Sequence, residues 1–142
     1  MKKGFTLTEL LITIVVMAVL ASIAIPSFAK SAERARANQA IAYLRTIRTA
    51  ETMFFSKNGT YVTSCADFPA CAPCSAPPDT AAEIRCLLGA EVSSADYSFS
   101  VAQTATTFVA TATRTVGIPA TTISLDQNGA WVCTGYTPCP TS

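Results

Sequence analysis

The sequence predicts an α+β chain in which one long N-terminal helix packs against a small antiparallel β-sheet. Three observations carry that expectation. Residues 10–29 hold twenty positions without a formal charge, and a helical pattern continues beyond them. Ala40, Leu44, Ile47, Ala50 and Phe54 then recur at i, i+4, i+7, i+10 and i+14, one stripe of an amphipathic helix. Short alternating segments bounded by turn residues follow in the last third of the chain.

Composition limits the function classes. With 142 residues the chain has room for one domain with a modest core. Half of it is apolar and 13% is charged, and the apolar excess is concentrated at the N-terminus. The net charge of +1 is too small to argue for bulk nucleic-acid binding. Without Lys2 and Lys3, eight basic residues face nine acidic ones. Histidine is absent, which removes the commonest general base and the commonest nitrogen ligand for zinc. No phosphate-binding loop or Gly-x-Ser-x-Gly elbow occurs. An enzyme is therefore not expected, nor a cofactor or a bound metal.

The charge-free run is long enough to cross a bilayer as a helix, for which about 20 residues suffice. Lys2 and Lys3 precede it and belong on the cytoplasmic side. Leu7, Leu10, Leu11, Ile12, Ile14 and Val15 cover every face, which suits lipid or a tight bundle of helices. Glu9, at the threshold of this run, is the anomaly: a carboxylate in hydrocarbon costs on the order of a few kcal/mol and points to function. Pro26 is expected to kink the helix. Beyond it the pattern becomes two-faced, with Ile41 and Tyr43 broadening the stripe. Arg34, Arg36, Arg45, Arg48 and Glu51 stand mainly off it. Glu33–Arg36 and Arg48–Glu51 have the spacing of surface ion pairs. Lys57-Asn58-Gly59 ends the pattern, so one helix from Phe5 to Ser56 would measure roughly 75 Å. The competing reading is a secretory signal cut near Ser27-Phe28-Ala29. Glu9 and the uninterrupted helical continuation oppose it.

Gly4-Phe5-Thr6-Leu7-Thr8-Glu9-Leu10-Leu11 resembles the cleavage and methylation motif of type IV pilins and the related pseudopilins. The short basic leader and the long helix with a proline after its first half are similar too. The resemblance is strong to about residue 61 and architectural beyond it. It implies a pilin-like fold with a leader at 1–4, a transmembrane and filament-core half-helix at 5–29, an amphipathic half at 30–58 and a head at 59–142. It implies cleavage after Gly4 by a prepilin peptidase and N-methylation of the new terminus, Phe5. Glu9 would neutralise the Phe5 amine of a neighbouring subunit during assembly. The expected partners are identical or homologous pilin subunits, the peptidase and the inner-membrane assembly machinery. The expected location is the inner membrane, then a surface pilus serving adhesion, twitching motility or DNA uptake. A pseudopilin of a type II secretion system is the alternative. The calcium loop and proline-tryptophan-glycine signature of its major subunits are not evident, and Gly129-Ala130-Trp131 is not that motif. Pilin-like proteins that take up DNA keep nucleic acid open as a partner, although the helix arginines read first as a solvated or intersubunit face.

The head begins with a proline- and cysteine-rich connection from Gly59 to about Asp96, with a short helix expected at Thr80–Leu88 and Ile84, Leu87 and Leu88 facing inward. Cys65, Cys71, Cys74, Cys86, Cys133 and Cys139 form an even set in a chain that reads as exported, which favours disulfides. Cys71-Ala-Pro-Cys74 lacks the strand-to-helix context of a redox pair, and a zinc site would need thiolates kept reduced outside the cell. Cys133–Cys139 is the favoured pairing, closing a short turn, and the other four would pair among themselves. Strands are expected at Tyr97–Val101, Phe108–Thr113, Thr122–Asp126 and Ala130–Cys133, with Asn128-Gly129 marking a tight hairpin. Tyr97, Phe99, Val101, Phe108, Ala110, Ile123, Leu125 and Trp131 would supply the buried or partly buried face.

Overall fold

The computed structural model describes residues 5–62, 71, 80–116 and 121–141. Gly4 with the rest of the leader, Cys65 and Cys74 lie outside the described residues, as does the side chain of Pro26 and with it the expected kink. The elements in chain order are α1 (Leu7–Asn58), α2 (Ala81–Leu88), β1 (Tyr97–Gln103), β2 (Phe108–Arg114), β3 (Thr122–Asp126) and β4 (Trp131–Thr134). The chain divides into two compact units, residues 1–37 and 38–142, and the boundary falls inside α1.

In the first unit the described side chains from Phe5 to Ile25 are all exposed. The hydroxyls in this stretch turn back onto the helix: Thr13 donates to the Leu10 carbonyl and Ser22 to the Val19 carbonyl, each at 2.7 Å. A polar side chain satisfied by its own backbone demands no water, which makes it tolerable in lipid or in a packed bundle.

In the second unit the four strands form an antiparallel meander in the order β1-β2-β3-β4. Alternation sets the buried face, with Tyr97, Phe99 and Val101 of β1, Phe108, Ala110 and Ala112 of β2, and Ile123 and Leu125 of β3 all buried. The register places small residues at the centre of the sheet. Ala112 lies between Phe99 and Ile123, and Ala110 between Val101 and Leu125. The α1 face completes this core with Ala40, Ile41, Leu44 and Ile47, and the Tyr43 ring meets Phe99 edge-on at 5.5 Å. Gly59, in the left-handed region at φ 75°, terminates α1 by donating its amide to the Phe55 carbonyl.

α2 forms where the sequence places it. Thr80 and Glu83 make a reciprocal capping box, and Gly89 closes the C-terminus at φ 65°. Ile84 and Leu87 face the core. Cys71 is bonded to Cys86 on α2, and Cys133 on β4 to Cys139. The first bridge spans 15 residues, a closure worth about 3 kcal/mol in the chain-entropy model.

The β3–β4 connection follows expectation, and two readings of α1 are corrected. β3 and β4 join in a short antiparallel hairpin at Asn128-Gly129, turning through Gln127-Asn128-Gly129 between the paired Asp126 and Ala130. Within it Gly129 takes positive φ, and the Asp126 carboxylate accepts the Asn128 and Ala130 amides at 2.9 and 2.7 Å, which fixes the turn. The Arg48–Glu51 pair does not form, because Arg48 donates instead to the Gln127 carbonyl through Nε and Nη2 at 3.4 and 3.2 Å. Glu51 itself is fully buried, whereas Ala50 and Phe54 are only half-buried. The inward stripe follows Leu44, Ile47 and Glu51, a rotation that leaves Ala50 and Phe54 at its edge.

Candidate functional site

The N-terminal end of α1 is organised by Thr6 and Glu9. The Glu9 amide donates to Thr6 Oγ1 at 3.3 Å, and Glu9 Oε2 accepts from Thr6 Oγ1 at 3.2 Å and, weakly, from the Thr6 amide at 3.5 Å. This is a capping box, with the carboxylate also well placed on the positive end of the helix dipole. Glu9 has no basic partner among the described residues. Phe5, one residue ahead of the cap, is 76% exposed. Exposed Leu7, Leu10, Leu11, Ile12 and Ile14 follow at once, so the carboxylate stands at the rim of an apolar cylinder. Each such side chain gains about 1.5–3 kcal/mol on leaving water, so a stretch of this length requires lipid or other helices around it.

On the head, α1 and the β3–β4 turn form a second feature. The Arg45 guanidinium lies 5.7 Å from the centre of the half-buried Trp131 ring, within cation–π range. Arg48, engaged with Gln127, packs against Gly129, where an added Cβ would lie 3.3 Å from its guanidinium. Arg45, Arg48, Asn128 and Trp131 line one shallow depression of about 370 Å³. Spacing alone did not single out this cluster, because its members come from α1 and from a turn some eighty residues later.

Comparison with known proteins identifies the chain. The family described as "Type IV minor pilin ComP, DNA uptake sequence receptor" matches residues 26–137. The chain belongs to this family of type IV pilins. The "Prokaryotic N-terminal methylation motif" matches residues 1–25 of the pilin, the segment that holds Gly4, Phe5 and Glu9. The "Type IV major pilin protein PilA" of Myxococcus xanthus (strain DK1622) is 41% identical over 59 residues, 42% of this chain and 27% of that relative. The pilin thus spans well under a third of the curated relative it matches. No solved structure gives a significant match. The two family matches and the relative all place the chain among the type IV pilins.

The cysteines of this pilin serve as cross-links where they are described, at Cys71–Cys86 and Cys133–Cys139. The ionisable residue that helical spacing placed on the wrong face is Glu51. Burial raises its carboxyl from 4.5 to about 7, opposed by the nearby Val62 amide. The signal available was its place seven residues after Leu44 and four after Ile47, on the same helical face.

Proposed function

We propose that this pilin is held in the inner membrane by the first half of α1, is cut after Gly4 by a prepilin peptidase and N-methylated on Phe5, and polymerises into a type IV pilus. The observation that carries the reading is the exposed apolar stretch of α1 with a single carboxylate, Glu9, at its head. In the uncleaved chain Phe5 has an amide nitrogen and offers no charge. Cleavage creates an amine there, the nearest cation that a second subunit can bring to the same depth. Pairing of that amine with Glu9 would remove the desolvation cost of the carboxylate and fix the axial stagger of neighbouring helices. Pro26 would let the helix adapt locally within the filament. Mass spectrometry of the mature N-terminus tests the processing step. A chain starting at N-methylated Phe5 supports it; a start at Lys30 is the result of conventional signal cleavage and overturns it.

A second reading concerns the role of the filament. The family name carries DNA uptake, and the Arg45–Trp131 pair with Arg48 and Asn128 is the feature of the head that fits nucleic acid. The charge balance limits this. From residue 59 onward Arg85 and Arg114 face Asp67, Asp79, Glu83, Glu91, Asp96 and Asp126. DNA contact would therefore be confined to the α1 arginines and the β3–β4 turn. Among the described residues of the head, no particular feature favours adhesion, motility or the secretion pseudopilus.

A further inference from the structure

Glu51 is 0% exposed, and neither carboxyl oxygen has a hydrogen-bond partner. A buried carboxyl without a partner is uncommon and destabilising unless it stays neutral. Just beyond the end of α1 come Tyr61 and Val62, both buried. The Val62 amide faces the Glu51 carboxyl and holds its proton affinity partly down, yet neither oxygen reaches hydrogen-bond geometry. Tyr61 fastens this strap to the rest of the head in three ways. Its amide donates to the Ala105 carbonyl at 3.2 Å, and its ring lies 4.7 Å from that of Phe55 and 5.0 Å from that of Phe108. At the same end of the β1–β2 hairpin, Gln103 pairs in register with Phe108 and has both side-chain amide atoms buried without a partner. Two unsatisfied polar side chains thus accompany one strap.

We propose that Glu51 is a protonation latch on the Tyr61–Val62 strap: the neutral carboxyl lets the strap close over the core, and loss of its proton to solvent opens the strap to water.

Among the described residues the surrounding charges supply no counter-ion that would make ionisation silent. On α1, Arg48 is engaged with Gln127 and Lys57 is exposed. The strap contributes only the Tyr61 phenol. In β1 and β2 the ionisable side chains are Tyr97 and Arg114, paired at the hairpin end away from Gln103 and Phe108. In β3 it is Asp126, which holds the Asn128 and Ala130 amides. α2 has Glu83 in its cap and Arg85 beside Glu91. Burial has moved the Glu51 carboxyl to about 7, so the latch would work in the neutral range. The device is independent of whether the chain polymerises.

Hydrogen exchange at the Tyr61 and Val62 amides of the full-length pilin in detergent micelles tests the latch, after correction for the intrinsic effect of pH on exchange. Between about pH 5.5 and about pH 8.5, the wild type should lose protection at these amides by at least about tenfold. Glu51→Gln, which keeps the neutral shape, should hold the low-pH protection throughout. Unchanged wild-type protection, or the same pH dependence in Glu51→Gln, would overturn the proposal. Should Glu51→Gln fail to fold, infrared spectra of wild-type protein with labelled glutamate decide instead. A protonated-carboxyl band that disappears in step with the loss of protection upholds the latch. Its absence at the lower pH refutes it.

Discussion

Leu44, Ile47 and Glu51 occupy consecutive inward positions of α1, and two aliphatic side chains are followed there by an acid. Leu44 is fully buried in the same core as Phe99 and Ile123. Leu44→Ala should therefore cost about 2–5 kcal/mol through lost burial and the cavity left behind. A thermal melt of the purified pilin would read this as a fall in midpoint of about eight degrees or more, on the order of 4–8 °C per kcal/mol for a unit of this size. Glu51 gives the opposite sign at neutral pH. Its folded carboxyl is raised from 4.5 to about 7, so the folded state binds the proton more tightly than the unfolded chain. Stability is full below the ordinary carboxylate range, falls as pH rises through it, and levels off above the raised value. The loss is at most about 3 kcal/mol. Denaturation at about pH 8 should find Glu51→Gln more stable than wild type, and at about pH 4 the two should be equal. The charge pattern of the sequence concealed this residue. Arg48 stands three residues before Glu51, a spacing that reads as a surface pair, and the arginine's true acceptor is a carbonyl in a turn seventy-nine residues away.

Among the elements, the β3–β4 turn depends most on one position. Gly129 has φ 88°, and an added Cβ would also crowd the Arg48 guanidinium. Gly129→Ala should destabilise the head by roughly 1–2 kcal/mol through the left-handed backbone alone. It should also loosen Arg48 from the Gln127 carbonyl, which the Gln127–Asn128 chemical shifts would reveal. The strands were legible because period-two alternation and turn residues act locally, and Tyr97-Ser98-Phe99-Ser100-Val101 can be read without knowing its partner. α2 was legible for the same reason, since Thr80 and Glu83 form a complete local start signal. The loop length at Asn128-Gly129 was not. The Asp126 carboxylate sets that length by taking two amides, a choice that the dipeptide alone does not contain.

At the scale of the whole molecule, a chain that leaves one end of its helix bare while burying the other is built to be completed by something else. The family match and the methylation motif place the chain among type IV pilins, and the pilus proposed above is the completion that fits. If the head contacts DNA, the contact should be weak, strongly salt-dependent and centred on α1. Arg45→Ala with Arg48→Ala should lower duplex binding by about tenfold and flatten its dependence on salt by about two units of slope, as fewer counterions are released. Binding unaffected by both changes would separate DNA from this face. The N-terminal motif was legible because Gly4, Phe5 and Glu9 lie within six consecutive residues of the sequence and need no fold to bring them together. The arginine–tryptophan depression was not, because folding alone assembles it.

The most direct measurement follows the Glu9→Val pilin through the cell. Its mature N-terminus is determined, and its distribution between the membrane and sheared surface filaments is compared with wild type. A correctly cut and methylated Glu9→Val chain that stays in the membrane, with recovery in filaments reduced by at least about tenfold, is the predicted result. Processed Glu9→Val subunits appearing in filaments as abundantly as wild type would contradict the pairing of this carboxylate with a neighbour's Phe5 amine.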